Sequence, residues 1–201
     1  MIVPLFPLHS VLFPGGRLPL KIFEARYMDM AKACLKDNSP FGVCLIAAGE
    51  EVARSGGTAA TPHPVGTLAQ IAEWDMPQLG VLQVVAEGGD RFRIRSHQTR
   101  ASGLLEAEIE PIAEPPVTKI PGDYARLVPL LRATIEEMTS KGQGPAAPHR
   151  FFDAGWLGMR YAEILPVGTL AKQKLLEMED SIDRLEVVYR FLDGKGLLPA
   201  V

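Results

Sequence analysis

Cysteine is scarce in this chain: only Cys34 and Cys44 occur among 201 residues. Two thiols, one in an expected helix and one in the apolar run Phe41 to Ala47, cannot make a disulfide framework, and both are expected to be buried. Histidine is equally thin, and His9, His63, His97 and His149 form no His-Glu-x-x-His pattern, nor do the cysteines form Cys-x-x-Cys, so no metal site is expected. Neither sign of charge is in large excess. With 21 basic and 24 acidic residues and a net charge of −3, the whole molecule exerts no general pull on nucleic acid or anionic lipid. No apolar run approaches the ~18 residues needed to cross a bilayer, and the start carries prolines instead of a charged segment followed by an apolar one. A cytoplasmic protein with no membrane partner is expected. There is no Gly-x4-Gly-Lys-Ser/Thr loop for nucleotide phosphates and no Gly-x-Ser-x-Gly elbow. Asp193-Gly194-Lys195-Gly196 only echoes the former and reads as a helix stop. No catalytic or cofactor-binding residue is expected, and the chain reads as a non-enzyme.

Proline, glycine and apolar residues are plentiful. Apolar types make up 47% of the chain, enough for a substantial core. Prolines at 4, 7, 14 and 19 forbid a regular helix at the start, so the apolar residues between them belong to short strands around a Pro14-Gly15-Gly16 turn. Glu24 to Leu35 reads as a helix with Tyr27, Ala31 and Cys34 on one face, ended by Asn38-Ser39-Pro40. Strands are expected at Phe41 to Ala47, Val65 to Asp75, Val81 to Glu87, Arg91 to Gln98 and Leu104 to Ile112. Arg54 to Pro64 is expected to be a loop, and Gly88-Gly89-Asp90 a hairpin turn.

A stiff linker over Glu114 to Gly122 separates this half from a helical one, which places the domains at 1–116 and 117–201. Beyond it the apolar period becomes helical: Tyr124, Leu127, Leu131, Ile135 and Met138, then Phe152, Trp156, Met159 and Ala162 after a Thr139 to Pro148 loop. Leu170 to Met178 follows, and then Ile182, Leu185, Val188 and Leu192, stopped by Gly194. Pro129 either kinks the first of these helices or sits in its first turn after a short preceding turn. The fold class is α+β.

Several ordered segments carry a resemblance. Pro4-Leu5-Phe6-Pro7-Leu8, Phe13-Pro14-Gly15-Gly16 and Pro19-Leu20-Lys21-Ile22-Phe23-Glu24-Ala25-Arg26-Tyr27 follow one another at the start. Val65 to Ile71, Asp90 to Ile94, Trp156 to Pro166 and Lys172 to Glu177 continue the series. Together they resemble the amino-terminal, substrate-binding domain of the Lon protease family over nearly the whole chain. The resemblance implies an amino-terminal PUA-like β-barrel with one helix, followed by a helical bundle. It also implies a stand-alone, noncatalytic polypeptide-binding module without motor or protease. The implied partners are unfolded or client polypeptides, a separate protease, or a second copy.

Apolar residues outside any core are the first candidates for such binding. Met76, Pro77 and Leu79 fall in an expected connection between strands, where polar residues would be usual. Phe151, Phe152 and Trp156 form a second cluster, with helical spacing that favours bundle core first. The alternative function is RNA binding by Arg91, Arg93 and Arg95, which period-2 geometry would place on one strand face. The preferred reading of that stripe is a charge ladder, with Arg95, Arg93 and Arg91 opposite Glu106, Glu108 and Glu110. Glu24 and Arg26 are expected to pair at a helix start, and Asp180, Asp183 and Glu186 beside Arg184 to form the solvated face of the last helix.

Overall fold

A computed structural model describes residues 1–49, 60–142, 144, 145 and 147–198. The chain divides into two compact units, Met1–Ala113 and Glu114–Val201, just before the Glu114-Pro115-Pro116 stretch expected as linker.

The first unit contains β1 (Ile2–Leu8), β2 (Arg17–Ile22), α1 (Ala25–Asp37), β3 (Phe41–Ala48), β4 (Thr61–Pro62), β5 (Val65–Gln78), β6 (Val81–Thr99) and β7 (Leu105–Pro111). Most of the loop expected over 54–64 lies outside the described residues. Its described end forms β4 against β3. Antiparallel pairing runs β1–β7–β6–β5–β3, and a parallel β1–β3 pairing, Leu5 opposite Gly42, closes the ring. Val3, Leu5, Cys44, Phe92, Leu105, Ala107 and Ile109 fill it. Two glycines make room for this filling. A Cβ on Gly42 would lie 2.6 Å from Leu5 and 2.8 Å from Phe92, and one on Gly66 would lie 2.7 Å from both Cys44 Sγ and Phe92.

A second core lies under α1. Tyr27, Met28, Met30, Ala31 and Cys34 recur at helical spacing and meet Phe6, Phe41, Leu82, Val84 and Ala86. Glu24 stands at the N-cap, and Asn38 closes the helix at φ 48°, a left-handed value that asparagine tolerates. The Phe6 and Tyr27 rings stack at 4.1 Å.

Gly88-Gly89-Asp90 is not a hairpin turn. It lies inside β6, a single strand of 19 residues, and the hairpin is made at Leu79-Gly80, where Gly80 supplies φ +83°. Gly88 serves a close approach instead: Gly15 N–H donates to its carbonyl at 2.6 Å, and its own N–H donates to Gly16 O at 2.9 Å. A Cβ there would sit on the Phe13 carbonyl oxygen, far inside van der Waals contact.

The described residues of the second unit form a 3-10 turn, Gly122–Tyr124, then α2 (Leu127–Ser140), α3 (Ala154–Ile164), α4 (Thr169–Glu177) and α5 (Ser181–Gly194). Pro129 sits in the first turn of α2, where a missing N–H costs nothing. Leu127, Leu131, Ile135, Leu157, Tyr161, Leu185, Val188 and Leu192 are among its core residues. Asp153 caps α3, accepting from Gly155 N–H at 3.0 Å, so Phe152 precedes that helix. Asp180 caps α5 by accepting from Ile182 and Asp183. Arg184 departs from the expected solvated face: it is buried, donates through Nε to Leu175 O at 2.9 Å and through its terminal nitrogen to Met178 O. The guanidinium thereby satisfies carbonyls at the C-terminal end of α4.

Gly88→Ala should lower stability by about 1–3 kcal/mol, because strand backbone must move to admit the methyl. Gly89→Ala, whose Cβ would meet only Leu68 O at 3.6 Å, should be neutral or slightly stabilising. Urea midpoints of the two variants check this, and equal midpoints would contradict the packing described.

Candidate polypeptide-binding surfaces

β3 pairs with β5 through Phe41 and Ala69, and beyond that point β5 continues with β6 alone, joined on the other side by β2. The result is a three-stranded arm. Its inner row, Ile22, Leu82, Val84 and Ala86, is buried in the core under α1. Towards the tip that core ends, but the apolar side chains do not. Trp74 is 60% exposed, Leu79 is 94% exposed, and Met76 and Pro77 are exposed between them. The expected connection is thus shorter than supposed: Trp74 to Gln78 belong to β5, and only Leu79-Gly80 turns. Register shifts between Ile71 and Glu73 and between Asp75 and Gln78 interrupt the strand. Asp75 accepts from Met76 N–H at 2.8 Å, and Arg17 of β2 pairs with Glu73 of β5.

A groove of about 420 Å³ lies along this arm. Pro19, Val85 and Glu73 form one row across its strands, and Lys21, Gln83 and Asp75 the next. It combines an apolar strip with charges of both signs, suited to an extended chain whose backbone can hydrogen-bond to a strand edge.

In the second unit, Trp156 is only 8% exposed and belongs to the bundle core, while Phe151 is half-buried beside it at 5.1 Å between ring centroids. Phe152 points away from the core and is 64% exposed. His149 joins the cluster at 5.7 Å from Phe151 and 5.8 Å from Trp156. A separate apolar cavity of about 640 Å³ opens between α4 and α5, with Ala171, Leu175 and Met178 on one wall and Val187 and Phe191 on the other. Sequence reasoning missed it. The signal was present: Val187 and Phe191 lie one turn apart, beside the stripe Leu185, Val188 and Leu192 that already fills the core.

The arginine stripe is not assembled as expected. Arg93 stands opposite Glu110 instead of Glu108 because the hairpin closes at Arg100 and Leu104, and Arg95, an extra residue at a bulge between Ile94 and Ser96, leaves Ser96 opposite Glu108 and Gln98 opposite Glu106. Arg95 pairs with Glu110. Arg91 is 2% exposed, across the ladder from buried Thr67, whose hydroxyl donates to Leu12 O at 2.6 Å. The three guanidinium groups therefore do not share an exposed face.

Other titratable groups have structural explanations. Arg26 reaches Glu24 at 3.0 Å, donates to Gly103 O at 2.8 Å and lies 4.5 Å over the Tyr27 ring. Burial pushes the Cys34 and Cys44 thiols up, away from the reactive thiolate. Among the described residues, no group of three His, Cys, Asp or Glu could hold a metal, and no helix is long and apolar enough to cross a membrane.

The barrel-then-helices order has known counterparts. The ATP-dependent protease La (LON) substrate-binding domain family matches residues 2–194. The chain belongs to that family. It is 26% identical over 199 residues to the Lon protease of Anaeromyxobacter dehalogenans, covering 96% of this chain and 23% of that protein. The Lon protease of Desulfovibrio desulfuricans is 28% identical over 194 residues, covering 92% and 21%. The chain thus spans about a quarter of the length of the curated relatives it matches. A crystal structure of a Lon N-terminal domain protein from Xanthomonas campestris superposes with a TM-score of 0.75 at 31% identity, covering 95% of this chain and 98% of that one. The N-terminal domain of the Mycobacterium avium complex Lon protease shares the fold, with a TM-score of 0.63 at 15% identity over 96% and 98% of the chains.

In this LON substrate-binding domain the two tryptophans report on different places. Acrylamide should quench Trp74 readily and Trp156 poorly, and Trp74→Phe should remove the accessible, red-shifted emission. An unchanged quenching curve in that variant would contradict the exposed tip.

Proposed function

We propose that the chain is a noncatalytic polypeptide-binding module that holds apolar segments of unfolded or client chains at the tip of the β5–β6 arm. Family membership supports substrate recognition in general. The carrying observation is the exposed set Trp74, Met76, Pro77 and Leu79 on a hairpin whose base is anchored in the core. Covering an exposed aliphatic side chain gains about 1.5–3 kcal/mol, so two or three such contacts give useful but reversible affinity. The unbranched, polarizable side chain of Met76 suits varied partners.

Binding of a fluorescent, unstructured apolar peptide, read by anisotropy, tests this. Met76→Asp with Leu79→Asp should weaken it at least about tenfold, since each 1.4 kcal/mol of lost contact is tenfold in affinity. Both positions are exposed, so circular dichroism and melting temperature should not change. Failure of the parent protein to bind any such peptide would refute the reading. A parent dimer that the double variant splits would instead assign the tip to self-association.

A further inference from the structure

The second unit carries a different kind of surface beside its aromatic cluster. Arg132 of α2 lies over the Phe151 ring, its guanidinium carbon 4.1 Å from the centroid. Among the described residues no ion pair to a carboxylate is found for Arg132. Nearby, Glu114 and Asp153 face Arg150 at 3.7 and 3.6 Å, and Glu136, one turn farther along α2, is exposed and does not line the space. Around the stack is an open bay of about 460 Å³ lined by Val128, Arg132, His149, Phe151 and Phe152. A guanidinium held over a ring keeps N–H donors available, and an arginine fork can receive a carboxylate bidentately. Exposed Phe152 and the edge of Val128 offer an apolar seat next to that fork. The bay thus presents a positive charge and an apolar wall, and the complementary ligand has a negative charge beside an aromatic group.

We propose that this bay selects polypeptide segments in which an aromatic residue is followed two positions later by Asp or Glu. The proposal rests on the polypeptide-binding reading above and adds a substrate preference at a second surface. In an extended segment, side chains two apart leave the same face, about 7 Å from one another, so one ring can lie against Phe152 while the carboxylate meets Arg132. His149 contributes an aromatic wall: its Nε2 donates to Pro145 O at 3.3 Å, which holds the ring edge-on to Phe151.

The test uses the 201-residue protein and C-terminally amidated, fluorescent peptides that differ only at a Phe-Ser-Asp, Phe-Ser-Asn or Ala-Ser-Asp core. Phe-Ser-Asp should bind about tenfold more tightly than either relative, since Phe-Ser-Asn lacks the charge-assisted pair and Ala-Ser-Asp lacks the buried ring. Arg132→Gln should abolish the preference for Asp over Asn while leaving Asn-peptide affinity within about twofold, and Arg132→Lys should restore only part of it. Arg132 is exposed, so these variants should keep the parent melting temperature. Equal affinity for the three peptides, or an Asp preference that survives Arg132→Gln, overturns the proposal. If binding persists without the preference and still responds to Met76→Asp with Leu79→Asp, only this inference fails. If neither these peptides nor the unstructured apolar peptide binds, both fail.

Discussion

The close packing of Phe92 against two residues without side chains is the constraint on which the first unit depends. A ring of so few strands has little interior, and the Phe92 ring with Leu5 and Cys44 occupies the space that Cβ atoms at Gly42 and Gly66 would claim. Closure lets β1 lie parallel to β3 and antiparallel to β7, which pairs both of its edges. It also determines what remains outside. β3 and β7 have eight and seven residues, whereas β5 and β6 have 14 and 19, so the surplus length of the longer pair leaves the ring as the arm. The exposed apolar tip therefore follows from strand lengths that the barrel cannot use.

An arm of this kind risks indiscriminate pairing of its edges with other chains. Several features limit it. Pro19 removes a donor from β2, Pro77 removes one near the end of β5, and the register shifts around Ala72 and Met76 twist the outer edge out of a continuous template. Arg17 and Glu73 place opposite charges across the strands. What is left for recognition is a short stretch at the tip, where side chains rather than a long run of backbone supply the attraction. That balance suits transient holding of a segment better than permanent sheet extension.

Much of the architecture was legible because it is written in local chemistry. Proline spacing marks β1 and β2, and apolar residues three or four apart mark α1 to α5. What escaped was decided by distant chain. Gly88 and Gly89 have the composition of a turn, and only the approach of Phe13 to Gly16, some seventy residues earlier, makes them strand interior. The arginine ladder failed in register: the hairpin closes at Arg100 and Leu104, which leaves Arg93 opposite Glu110, two places from Glu108, and a bulge at Arg95 offsets the two ends of the ladder by one residue. Arg184 looked solvated because its acidic neighbours are, and its burial depends on the carbonyls of another helix. Of the candidate surfaces, the apolar tip could be read from Met76, Pro77 and Leu79 standing between strands. The Arg132 stack on Phe151 could not, since it joins residues nineteen positions apart on different segments.

Arg184 also explains how an apolar cavity can persist between α4 and α5 without the helices closing on it. Its side chain reaches from α5 to Leu175 O and Met178 O, so the end of α4 is tied through hydrogen bonds whose length sets the separation. Gly158 of α3 gives that side chain room, with a Cβ there only 3.3 Å from Arg184 Cδ. Sliding α4 inward to cover Val187 and Phe191 would break charge-assisted bonds in a buried setting, where an unsatisfied guanidinium costs more than the apolar area gained. Ala171, the smallest side chain on the α4 wall, leaves the space unfilled. A buried cation at a helix end thus keeps apolar surface open, using polar geometry to prevent a collapse that hydrophobic packing alone would favour.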